Sequence, residues 1–213
     1  MSSWPVLLLV PAALLAQAPK LPGCRAENAL QAEIAHIKGS RLGDTRPYPE
    51  ILKDQAAKVK ALFEKHPDNF FVHKAYIEAF PASMGGSKEV VEEYRRRAQA
   101  RPGDPQAQYL HARALMGYDT PESIRLLTKL LDQYPNFPAP LGTLGMIYGY
   151  PAFRDEAKRT AMLEAFYRNC GDTVDAYVRL SDLLVSPLYR EAAPRLRKLL
   201  TGRTDDEAPL HGT

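Results

Sequence analysis

Pro102-Gly103-Asp104-Pro105 is the stretch that decides the fold, because related turns recur along the chain at a nearly constant interval. The related turns are His66-Pro67-Asp68-Asn69, Pro135-Asn136-Phe137-Pro138 and Cys170-Gly171-Asp172-Thr173. Positions 67, 102, 135 and 170 are separated by 35, 33 and 35 residues, and two helical patterns fit into each interval. This interval predicts an array of antiparallel helix pairs. The expected fold class is therefore all-α, with the pairs stacked as a right-handed α-α superhelix.

Apolar residues at helical spacing mark the individual helices. The expected buried positions are Ala26, Leu30, Ile34 and Ile37; Ile51, Leu52, Ala56, Val59, Leu62 and Phe63; Phe71, Ala75, Tyr76 and Phe80; Val90, Val91, Tyr94 and Ala98; and Ile124, Leu127, Leu130 and Leu131. Asp104 and Thr120 are predicted N-caps, since each precedes a proline at the first helical position. The helical repeat domain is predicted to cover residues 49–201, after an amino-terminal helix and connection over residues 19–48.

The composition is that of a folded protein, and the distribution of charge argues against nucleic-acid binding. Of 213 residues, 45% are hydrophobic and 25% are charged, as in an ordinary folded protein, and the net charge is only +3. The densest basic cluster, Arg95-Arg96-Arg97, follows Glu92 and Glu93 on a predicted helix, which favours helical ion pairs. A nucleic-acid interface needs basic residues gathered on one face, so no nucleic-acid partner is expected.

The amino terminus is typical of an export signal. Residues 6–16 form an apolar run of the length found in signal peptides and too short to span a membrane. Ala16-Gln17-Ala18 supplies the small residues that a signal peptidase reads, so residues 1–18 are predicted to be a signal peptide. The predicted location of the mature chain is the periplasm or cell envelope.

Both cysteines have more than one interpretation. Leu21-Pro22-Gly23-Cys24 resembles a bacterial lipobox, which makes Cys24 a candidate for lipidation and would tie the chain to a membrane. In an oxidising compartment Cys24 and Cys170 are also able to pair. Alternatively, Cys170 is a small buried residue at a turn where the other repeats carry proline.

The third repeat carries a resemblance to a known family. Leu144-Gly145-Met146-Ile147-Tyr148 resembles the Leu-Gly-x-x-Tyr core of a tetratricopeptide first helix, and Ala157 matches the small residue of the second helix. A small residue is expected at Gly145 because the two helices cross closely there. The resemblance implies that positions of the first helices line a groove that takes a protein or peptide partner. The corresponding residues are Lys74, Glu78, Tyr109, Arg113, Met146, Tyr177 and Ser181.

Residue patterns of catalysis and metal binding were sought in the sequence. The five histidines lack the spacing of a zinc site, and no Gly-x-Ser-x-Gly or complete phosphate-binding loop is present. The sequence therefore predicts neither cofactor nor metal, and it predicts an interaction or scaffold module in place of an enzyme. Two alternatives are open: the helical amino-terminal region of a longer thioredoxin-like envelope enzyme, with the polar tail 202–213 leading to a further domain, and an outer-membrane assembly lipoprotein.

Overall fold

The computed structural model describes residues 21–40, 43–80, 87–171 and 173, and in this part of the chain it contains helices and no strand. The α-helices are α1 Asn28–Gly39, α2 Tyr48–Lys65, α3 Phe70–Ala79, α4 Ser87–Ala100, α5 Pro105–Leu115, α6 Thr120–Gln133, α7 Pro138–Ile147 and α8 Glu156–Cys170, with a short 3-10 helix at Pro151–Phe153. The predicted all-α class is confirmed. The predicted signal peptide, fourth repeat and polar tail lie outside the described residues.

Most of the predicted apolar positions are buried. All four residues expected for the first helix are buried, although Ala26 lies just before α1, and so are all four expected in α4 and Leu127 and Leu130 of α6. The pattern in α3 differs, because Phe71, Tyr76 and Phe80 are only partly buried, whereas Phe70, Val72 and Ile77 are buried. A helix that contacts neighbours on several sides buries most of its surface, so a single stripe does not describe it.

The same backbone turn joins α2 to α3, α4 to α5, and α6 to α7. In each turn the amide of the last residue donates to the carbonyl of the first, at 3.1 Å in His66–Asn69, 3.1 Å in Arg101–Asp104 and 3.0 Å in Tyr134–Phe137. Asn69 and Asp104 also cap the helices that follow, through side-chain oxygens that accept from backbone amides. The predicted cap at Thr120 is wrong by one residue, because Asp119 accepts from the amide of Glu122 at 3.2 Å.

Helix α5 lies at the centre of the packing and contacts α3, α4, α6 and α7. Helices α2 and α3, α6 and α7, and α7 and α8 are also in contact. Within the part of the chain that the structure describes, most of the buried apolar residues fall into three clusters. The amino-terminal cluster includes Leu30, Ile34, Val59, Leu62 and Val72; the central cluster includes Phe70, Tyr94, Tyr109, Leu127, Phe137 and Leu144; and the carboxy-terminal cluster consists of Leu141, Leu163, Phe166, Tyr167 and Cys170.

Helices α7 and α8 approach most closely at Gly145, as the sequence predicted. A Cβ atom on Gly145 would lie 2.4 Å from Cδ2 and 2.8 Å from Cγ of Leu163, so only glycine fits without movement. The expected partner, Ala157, is exposed and does not form this contact. Residues 149–155, which include the 3-10 helix, lengthen the connection and shift α8, so that Leu163 takes the position opposite Gly145.

Candidate interaction surface

The residues predicted to line a partner groove fall into two groups in the structure. Lys74 and Glu78 on α3, and Met146 on α7, are partly exposed. Tyr109 and Arg113 on α5 are buried. Tyr177 and Ser181 lie outside the described residues. Lys74, Glu78, Arg113 and Met146 are together called the carboxyl-end surface below, because three of the four lie in the second halves of their helices; within this set, Glu78 and Arg113 form an ion pair.

Glu78 joins three helices through its carboxylate. Its Oε1 accepts from Nη2 of Arg113 on α5 at 3.2 Å, and its Oε2 forms an ion pair with Nζ of Lys38 on α1. The two residues Glu78 and Arg113 are 35 positions apart, which is one interval of the repeated turn. The pairing of two predicted groove residues with each other was not foreseen. Lys38 was missed as well, because its helix precedes the first recognised interval.

Burial and charge act in opposite directions on Glu78. Burial alone would raise the pKa of its carboxyl, but Lys38, Lys74 and Arg113 lower it by more, so the pKa lies well below its usual range. Glu78 is therefore ionised at neutral pH. With three cations around one carboxylate, the group carries an excess of two positive charges at the edge of the carboxyl-end surface.

Tyr109 belongs to the core and does not line an open groove. Its side chain is fully buried, its hydroxyl lies 3.0 Å from Oγ1 of Thr143 on α7, and its ring contacts Phe70 and Phe137. The rings of Phe70 and Phe137 are themselves only 6.3 Å apart. The rings of Phe70, Tyr109 and Phe137 therefore pack together near the amino-terminal ends of α3 and α7, which residue counting alone did not predict.

A buried histidine links α3, α4 and the turn before α3. Nδ1 of His73 lies 2.7 Å from the hydroxyl of Tyr94, and Nε2 lies 2.7 Å from the carbonyl oxygen of Pro67. The carbonyl can only accept, so Nε2–H donates to it and Nδ1 accepts from Tyr94 in the neutral ring. Burial lowers the pKa of His73, which keeps the ring neutral near pH 7.

Cys24 and Cys170 form a disulfide that spans 146 positions of the sequence, with their Cα atoms 5.6 Å apart. Cys170 is fully buried, as one interpretation expected, and Cys24 is partly exposed. A sulfur atom in a disulfide cannot also carry a thioether-linked lipid, so the disulfide and the predicted lipidation of Cys24 are mutually exclusive. Lipidation stays a prediction.

Three further observations concern the described residues. On α4, Arg95 pairs with Glu92 at 2.6 Å and Arg97 with Glu93 at 2.8 Å, so helical ion pairs occupy these basic residues as expected. Among the described residues, no three or more metal-ligating side chains lie close enough to hold an ion. None of the described helices has the length and apolar character needed to cross a membrane.

Comparisons with known proteins complete the description of the site. No protein-family model matches the chain, and no curated protein or solved structure is significantly similar to it.

Proposed function

We propose that this chain is an exported, tetratricopeptide-like interaction or scaffold module whose helix pairs stack as a right-handed solenoid. One observation carries the proposal: α3, α5 and α7 touch through residues one interval apart. Glu78 meets Arg113 at a separation of 35 positions, and Tyr109 meets Thr143 at a separation of 34. Such contacts favour a layer of first helices lying side by side, which is the arrangement that gives a solenoid its inner surface.

The disulfide supports the exported location. Disulfides between Cys residues form and persist in oxidising compartments, which include the bacterial periplasm. The same bond favours a soluble exported form over the lipoprotein alternative, because Cys24 provides only one sulfur atom.

The carboxyl-end surface is the proposed docking site. Lys74 and Met146 are partly exposed there, on two helices that each contact α5. Methionine adapts to differently shaped apolar groups, and the excess positive charge around Glu78 supplies polar contacts at its side.

Photo-crosslinking tests the proposal site by site. A photoreactive residue placed at Lys74 or at Met146 should give the same crosslinked species in a periplasmic extract of the host. The matched control is Lys129, which is exposed on α6 and belongs to the opposite layer in the proposed solenoid. The variant Lys74→Glu, combined with the crosslinker at position 146, should reduce the yield at least fivefold, whereas Lys129→Glu should leave it unchanged. Equal crosslinking from all three positions, or none from positions 74 and 146, would contradict the proposal.

A further inference from the structure

The six residues 21–26, called the strap below, contact all three apolar clusters. Leu21 packs against the central cluster, Cys24 packs against the carboxy-terminal cluster, and Ala26 is buried in the amino-terminal cluster. Within the described residues, the strap carries the covalent cross-link with the largest sequence separation, because the disulfide joins Cys24 to Cys170, 146 positions away at the end of α8. The strap therefore connects the first helix to the last described one.

We infer that the strap is an intramolecular cover held in place by the disulfide, and that reduction of the disulfide releases it. Five residues of the strap precede the buried Ala26 with no regular secondary structure beyond a bend, so ordering them costs backbone entropy at each position. Their apolar anchor is Leu21, which is only partly buried and recovers a fraction of a leucine's burial free energy. The free energy gained by burying Leu21 is thus smaller than the entropic cost of ordering the strap, and the disulfide supplies the difference.

The two sulfur atoms differ in solvent exposure, and this difference determines which of them an external thiolate attacks. Cys24 is partly exposed and Cys170 is fully buried, so the thiolate of an external dithiol attacks Sγ of Cys24. The Cys24–Cys170 bond breaks, Cys170 leaves as a thiolate and takes up a proton, and a mixed disulfide forms at Cys24. The second thiol of the dithiol then attacks the mixed disulfide, which leaves two cysteine thiols and one oxidised dithiol.

Release would uncover the part of the central cluster that Leu21 contacts. The functional consequence of this uncovering depends on the proposed partner binding, because the newly accessible apolar surface would extend the inner side of the helix layer. The release itself does not depend on any partner, so the two proposals can fail separately.

Trypsin cleavage after Arg25 measures the release directly. Arg25 is exposed within the strap, and a protease needs a locally unfolded segment around the bond it cuts. Lys65, which is exposed at the end of α2, is the control site. The ratio of the cleavage rate after Arg25 to that after Lys65 is measured by mass spectrometry after a reducing quench. On treatment with a dithiol, and equally in Cys24→Ser, this ratio should rise at least tenfold.

Three outcomes would overturn the inference. An unchanged ratio at unchanged rates would mean that packing alone holds the strap, and a parallel rise at both sites would mean that reduction unfolds the whole chain. The third concerns Leu21→Asp in the oxidised protein. Because the disulfide holds the strap, this variant should keep the ratio within threefold of the unsubstituted protein, and a rise as large as that of Cys24→Ser would make Leu21 the anchor instead.

Discussion

Replacement of Gly145 by alanine tests the close approach of α7 and α8. The added Cβ would lie 2.4 Å from Cδ2 of Leu163, whereas carbon atoms in good contact are about 3.5–4.0 Å apart. Overpacking of this kind costs about 1–3 kcal/mol. Alanine is favoured over glycine inside a helix by up to about 1 kcal/mol, which offsets part of the cost. Gly145→Ala should therefore lower the free energy of unfolding by about 1 kcal/mol.

A control and a second substitution separate the contact from helix propensity. Gly39 ends α1, and a Cβ there would meet no atom within 4 Å, so Gly39→Ala should be neutral or slightly stabilising. The second substitution, Leu163→Ala, removes the side chain that Gly145→Ala would strike. In that background, Gly145→Ala should become stabilising, with a coupling of about 1–3 kcal/mol between the two sites.

Urea-induced unfolding followed by circular dichroism gives these free energies for all five proteins: unsubstituted, the three single variants and the double variant. The reasoning would be refuted by either of two results. One is a Gly145→Ala variant as stable as Gly39→Ala. The other is additivity of Gly145→Ala and Leu163→Ala within about 0.3 kcal/mol, which would mean that the two residues do not touch.

Three further perturbations test the buried polar groups, each by the free energy of unfolding. Because the pKa of His73 is lowered in the folded state, its contribution to stability is present above its unfolded pKa of about 6.5 and is lost as pH falls below that pKa. His73→Phe should lower the free energy of unfolding by about 1–3 kcal/mol at neutral pH. The same variant should lose less stability between pH 7 and 5, and the loss that remains should be the part due to His111. Arg113→Met should cost about 1–3 kcal/mol, and the acid-side loss, which begins as pH falls below the unfolded pKa of Glu78, should become smaller. Ser123→Ala should cost about 1 kcal/mol, because its buried hydroxyl donates to the α5 backbone at 2.7 Å, and Thr128→Ala on the exposed side of the same helix should cost less. Unchanged free energies of unfolding in the three variants, together with an unchanged pH dependence in the His73 and Arg113 variants, would contradict these assignments.

The sequence predicted local features well because they depend on a few neighbouring residues. The turns before α3, α5 and α7 were located from proline, glycine and asparagine, whose backbone preferences act within the turn itself. The buried side of α4 followed from its spacing, since this helix presents one apolar stripe. Gly145 was identified as the crossing point from its neighbours in sequence, and the contact with Leu163 confirms it.

Features that depend on how several helices come together were predicted less well. Tyr109 was assigned to the partner groove by counting from the turn, but the approach of Phe70 and Phe137 buries it. Ala157 was matched to the small residue of the second helix by its spacing in the sequence, whereas Leu163 lies opposite Gly145 in the structure. The disulfide joins residues 146 positions apart, a proximity that no local pattern encodes.

The packing of α3, α5 and α7 restricts where the proposed partner can bind. Aromatic rings from Phe70, Tyr109 and Phe137 pack together in this region, and Leu21 of the strap packs against the same cluster. An extended partner that needed the full length of these helices would have to displace buried rings, at a cost of about 3–5 kcal/mol for each large aromatic residue. Docking near Glu78 requires no such displacement, because Lys38 is exposed and Lys74 is partly exposed beside it. The proposed partner should therefore contact the carboxyl-end surface first, and reach the central cluster only after the strap has been released.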